Sequence, residues 1–166
     1  MEWGQGIVLL LHIVAGAAWL GASIFANAVL LPYVSLQPID RHRELIGSLI
    51  LGPERVIIGG ALVAAVTGVA LGIGYNGIRS ITALATPYGL VWLASVAVAI
   101  GVFAVGGGVT SPAARALRDD PSLWDPDVPD ADDRRASLMD RLRLGFRLEL
   151  VGIVFVLGLM VILGGI

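Results

Sequence analysis

The sequence reads as an all-α integral membrane protein built as a four-helix bundle, and three observations carry that reading. Hydrophobic residues make up 57% of the 166 and charged residues 14%, with a mean hydropathy of +0.86. A soluble domain of this size has too little interior to bury so much apolar surface. Four stretches are each long and apolar enough to cross a bilayer, which takes about 20 residues per helix. The arginines cluster in alternate connections, as expected of a chain that threads a membrane back and forth.

The first span is expected from about Gly6 to Leu31, ending at Pro32. Its "ANA" (Ala26 to Ala28) resembles a signal-peptide cleavage site. With no basic segment ahead of it, Glu at position 2 and an overlong apolar run, it reads instead as a retained span. The second span runs from about Val56 to Gly74, with Pro53 placed where the first turn of a helix tolerates proline. The third runs from about Tyr88 to Val109 and ends before Ser111-Pro112. The fourth occupies about Phe146 to Ile166. All four belong to one transmembrane domain, residues 1–166.

The first connection carries Arg41, Arg43 and Arg55, and the third carries Arg115, Arg118, Arg134, Arg135, Arg141, Arg143 and Arg147. The second holds Arg79 alone. Basic loops stay in the cytoplasm, so loops one and three are expected inside and both termini outside, in a multi-pass protein of the inner (plasma) membrane. Loop three, about 112–140, contains "RDDPSLWDPDVPDADDRR" and reads as a solvated flexible linker. Its prolines and the lack of an Asp-x-Asp-x-Asp-Gly pattern argue against a calcium loop. Residues 39–51, "IDRHRELIGSLIL", can place Ile39, Ile46, Leu49 and Ile50 on one face, as an interfacial helix or an extension of span two.

Small residues recur at four-residue steps: Gly60, Ala64, Gly68 and Gly72 in span two, and Ala18, Ala22 and Ala26 in span one. Such ladders let helices approach closely in lipid. They serve equally well to pack the bundle or to join copies in a homodimer or larger membrane complex.

Span one carries the chemistry. Relative to His12 at zero, Gln5, Gly16, Trp19, Ser23 and Asn27 all fall between about −20° and +60° around a helix. Polar groups facing lipid are costly, so this stripe must point into the bundle. Trp19 is too central to be an interfacial anchor, and Gly16 leaves a flat floor beside the imidazole. His12 reads either as a metal or haem-iron ligand, or as a group that hydrogen-bonds a neighbouring helix. As a second axial ligand Met160 is placed better than His42, because it belongs at nearly the depth of His12. The alternative for Met160 is gap-filling in the core.

Glu54, Arg55, Arg147 and Glu149 fall at similar depth near the Arg-rich end. The simplest reading is an ion pair between spans two and four; a proton path is the sharper one. Gly106 to Gly108 read as close packing or a kink. There is no Cys, and every basic residue is Arg. Disulfides, zinc–thiolate sites, iron–sulfur clusters and lysine Schiff bases are thereby excluded. No serine-hydrolase elbow, HExxH site or phosphate-binding glycine loop is present, so no catalytic residue is assigned.

The segment "LLHIVAGAAWLGASIFANAVLLPYV", with Trp-Leu-Gly seven residues after the His, resembles the first span of the copper-resistance protein D (CopD)-like superfamily. That superfamily includes small four-helix membrane proteins and, more distantly, the HemJ-type protoporphyrinogen oxidases. "ERVIIGGALVAAVTGVALGIG" is similar to its second span and "TSPAARALR" to the end of its third. The resemblance implies that His12 binds haem or a metal. HemJ-type enzymes also rely on an intramembrane Lys, which this chain does not have. The expectation is a small redox or haem-handling membrane subunit with haem b on His12, Met160 as its second ligand, and Gly16 and Trp19 packed against it. Copper is the alternative cofactor, in a copper or small-solute transport protein. A cofactor-free accessory subunit of a membrane complex is the third expectation. Nothing points to nucleic acid.

Overall fold

In the computed structural model, which describes residues 3–51 and 54–165, the chain is helical almost throughout, and no strand occurs among the described residues. The elements are α1 (Trp3–Leu36), α2 (residues 39–50), α3 (residues 54–75), the short α4 (Ile81–Leu84), α5 (Pro87–Asp119), a 3₁₀ turn (Pro121–Trp124) and α6 (Ala131–Gly165). Four of them, α1, α3, α5 and α6, are long and apolar enough to cross a membrane. Gly52 and Pro53, expected to open the second span, lie outside the described residues.

Two expected boundaries move. Pro32 does not end α1, and Pro112 does not end α5. In each case a single π-helical turn, Ala26–Leu30 or Gly106–Thr110, comes immediately before the α-helical segment that holds the proline in its first turn. Proline lacks the N–H that an α-helix needs and crowds the carbonyl four residues back. The wider π turn shifts the hydrogen bonding there, so the helix passes through the proline. Further π turns fall at Ile46–Ile50 and Leu71–Tyr75, the far ends of α2 and α3.

The helices pack as two antiparallel hairpins, α1 with α3 and α5 with α6. Span-two small residues make the first hairpin close. A Cβ on Gly60 would stand 3.9 Å from the Ala15 carbonyl oxygen, and one on Gly68 would stand 2.9 Å from the His12 ring. Gly72 faces Trp92 of α5, where a Cβ would come within 2.2 Å of the indole nitrogen. The second hairpin seats Gly145 against Thr110 and Gly152 against Val102. Trp19 and Phe103, 5.5 Å apart between ring centroids, join α1 to α5 across the diagonal.

The fully buried apolar cluster is at one end of the bundle, where Leu31, Val34, Ile46, Leu117, Leu123 and Leu142 converge from five elements. Along the spans, by contrast, Leu10, Ile13, Val66, Ile100, Val151 and Phe155 point outward. A soluble protein would not present this surface; a bilayer covers it. The chain is a multi-pass membrane protein by these features.

The expected flexible linker is instead folded. Residues 111–119 continue α5, and α6 begins at Ala131, well before the apolar stretch. Between them Leu123 is buried and Trp124 donates its Nε1–H to the Leu117 carbonyl at 2.9 Å. Arg135 lies over the Trp124 ring at 5.4 Å and donates to the Leu123 carbonyl. Asp120 caps the 3₁₀ turn through the Ser122 amide and accepts from Arg134 at 2.9 Å. Two apolar anchors inside an Asp/Pro-rich stretch are enough to pin it.

Candidate functional site

The polar stripe of α1 faces inward. Ser23 is buried, while Gln5, His12, Gly16, Trp19 and Asn27 are half-buried; Ile7, Leu10, Ile13, Val14 and Ile24 on the other faces are exposed. The stripe exists because small residues on α3 let α1 approach with its polar side first.

His12 Nδ1 lies 2.8 Å from the Ala64 carbonyl oxygen and 3.1 Å from Thr67 Oγ1. A carbonyl can only accept, so Nδ1 carries the hydrogen. Thr67 spends its own proton on the Val63 carbonyl at 2.6 Å, which leaves its oxygen free to accept from His12 as well. In the neutral tautomer with the hydrogen on Nδ1, the lone pair is on Nε2, which has no hydrogen-bond partner among the described residues. Gly68 gives the ring its seat, and the Gly68 carbonyl accepts from Trp92 Nε1 at 3.4 Å.

Gly16, one turn on, has open space where a Cβ would stand. Trp19, one turn further, packs on Phe103. Met160 is half-buried on α6. Asn27 donates to the Phe146 carbonyl at 3.0 Å, which registers α1 against α6. Counting about 1.5 Å per residue from that contact in opposite directions puts His12 and Met160 at the same depth, each roughly 20 Å away. The hydrogen-bond partners of the imidazole are nevertheless on α3, and Met160 is not among them. His42 is roughly 35 Å farther along the chain axis by the same rise. There it donates Nε2–H to the Gln37 carbonyl at 2.9 Å and meets Trp124 edge-on. The two histidines cannot share one ligand.

Among the described residues, Glu54 and Arg147 do not form the ion pair expected between spans two and four. Glu54 turns to α5, accepting from Ser111 Oγ at 2.6 Å and from Arg115 Nη2 at 3.2 Å. Glu149 also turns to α5, where Thr110 Oγ1 bonds its Oε1. Arg147 is exposed, and the Arg55 side chain lies outside the described residues. The polar turn Thr110-Ser111 stands between the two carboxylates and takes both.

Sequence reasoning missed Thr67, Gly68, Trp92 and the Ala64 carbonyl. Thr67 gave a signal, being the sole hydroxyl in the apolar run of span two. The carbonyl gave none, because backbone acceptors are invisible to residue type. No group of three or more His, Cys, Asp or Glu side chains suited to a metal ion occurs among the described residues.

No family model, curated protein or solved structure matches this chain.

Proposed function

We propose that the protein is a small integral membrane subunit that binds a b-type haem through Nε2 of His12, acting in electron transfer or haem handling. The observation that supports this is the Nδ1–H bond to the Ala64 carbonyl. It favours the Nδ1–H tautomer, holds the ring plane and leaves the Nε2 lone pair free to ligate, as in an imidazole whose other nitrogen is tied to a carbonyl while it holds a metal. A haem bound there would supply one-electron chemistry at its iron.

The rest of the work falls to the chain's own side chains. Thr67 shares the Nδ1 hydrogen and restrains ring rotation. Gly16, one turn from His12 on α1, leaves open space where a side chain would stand. Trp19, stacked on Phe103, provides an aromatic wall, and the surrounding aliphatic side chains exclude water. Met160 is the proposed second ligand, on its depth. The relation to copper-resistance protein D-like membrane proteins rests on the span-one motif and is proposed with it. So are the placement in the plasma membrane, both termini outside and the Arg-rich end in the cytoplasm, which rest on the distribution of arginine.

The same hydrogen bond favours a second reading, in which His12 only ties α1 to α3 inside a cofactor-free accessory subunit. Absorbance separates the two. Protein purified from haem-replete cells is expected to show a Soret band that His12→Ala abolishes and Met160→Leu shifts. A colourless wild type that also fails to take up added hemin sinks the haem reading and leaves the tie.

A further inference from the structure

Glu149 is the last ionisable side chain of α6, followed by an unbroken apolar run, and haem binding gives it no role. It is half-buried between α6 and α5. Thr110 Oγ1 bonds its carboxyl, and Gly106 makes room for it: a Cβ there would stand 3.5 Å from Oε1. Both α5 residues belong to the π turn Gly106–Thr110, and π turns within α-helices recur at functional sites.

A third helix contributes at the same depth. Asn27 of α1 bonds the Phe146 carbonyl and also the Ser23 carbonyl at 2.9 Å. Because α1 and α6 are antiparallel, Ser23 lies about one turn beyond Phe146, level with Glu149. Ser23 is 6% exposed, and its Oγ is buried with no hydrogen-bond partner among the described residues. An orphan hydroxyl and a carboxyl bonded, among the described residues, only by Thr110 thus share one layer of the bundle.

Among the described residues no cation faces Glu149; the Arg55 side chain lies outside them. From α5 it meets Thr110 and Gly106. From α1 the polar groups at its depth are Ser23 and Asn27, both neutral. Glu54 of α3 is occupied by Ser111 and Arg115, and Arg147 on its own helix is exposed. A bare carboxylate in hydrocarbon is costly, and a carboxyl that carries its proton is not. The neutral form has one O–H to donate and a carbonyl oxygen to accept, which suits neighbours that are all hydroxyl or amide.

We propose that Glu149 is a proton-exchanging site within the bilayer. It is neutral at rest, and it gives its proton to water at the Arg-rich end and takes one back from there. In release, the Glu149 O–H bond breaks, a water molecule becomes hydronium, and the carboxylate left behind is held by Thr110. The consecutive hydroxyls Thr110 and Ser111 lead from Glu149 toward Glu54, the carboxylate nearer that end. The site is independent of His12 and of haem.

The test uses the full chain in phosphatidylcholine vesicles. Dicyclohexylcarbodiimide adds to protonated carboxyls in apolar surroundings, and peptide mass mapping locates the adduct. Glu149 is expected to be the modified residue, with Glu54 spared. Once the pH passes the midpoint of the group, labelling should fall by about tenfold per pH unit, in step with its protonated fraction. E149Q should abolish it. T110V, which removes the hydroxyl that holds the carboxylate, should move that midpoint to higher pH. An unlabelled Glu149 in mildly acidic buffer, in protein whose circular dichroism is native, overturns the proposal. Labelling of Glu149 that does not change with pH overturns it too.

Discussion

Gly72 and Gly21 show how differently two glycines of one bundle can matter. A side chain on Gly72 would collide with the Trp92 indole, whereas nothing lies within 4 Å of a Cβ on Gly21. Gly72→Val is expected to destabilise the protein by about 1–3 kcal/mol through overpacking, and Gly21→Val to stay within about 0.5 kcal/mol. Thermal unfolding in detergent, followed by tryptophan fluorescence, checks both; equal melting temperatures would show that the Gly72–Trp92 slot is not filled. At this scale the inward stripe of α1 was legible, because a 3.6-residue period needs no knowledge of partners. The partners were not. That His12 finds a carbonyl at Ala64, or that Glu54 prefers Ser111 and Arg115 to Arg147, depends on the rotation of one helix against another, which residue type does not encode.

Among the elements, the prolines and the Asp-rich segment taught most. Pro32 and Pro112 look like stops because an α-helix is destabilised by a missing donor; the π turns ahead of them accommodate it, and residue type does not announce a π turn. The Asp-rich segment was read as linker from composition alone, yet Leu123 and Trp124 anchor it. Asp120 fastens its 3₁₀ turn. The Ser122 hydroxyl and amide, with Arg134 adding charge, hold its carboxyl below the usual carboxylate range. A carboxylate depressed in the folded state stabilises it above the ordinary value, near pH 4, and loses that contribution as pH falls through the lowered one. Asp120→Asn should therefore loosen residues 119–131 at neutral pH, with the difference from wild type vanishing in acid. Hydrogen exchange across this segment, corrected for intrinsic rates, reads the effect; a difference that persists undiminished below the carboxylate range would contradict it.

For the whole molecule, the number of spans and the helical class were legible, since length and hydropathy alone decide whether a helix can cross a bilayer. Sidedness rests on arginine placement, and the chain offers a clean way to test it because it contains no cysteine. With a membrane-impermeant maleimide, Ser80→Cys should react in intact cells and Asp127→Cys only in inside-out vesicles or permeabilised cells. Labelling of both from the same face would overturn the alternating topology. The buried cluster at the Arg-rich end carries a further consequence. Lipid gives paired spans no hydrophobic reason to associate, but Leu31, Ile46, Leu117 and Leu142 bring both hairpins into one buried apolar cluster. The two hairpins are thus clasped at one end, like the halves of a book held at one edge. A break in the chain between α3 and α5, at the opposite edge, would leave two pieces that still know how to find each other.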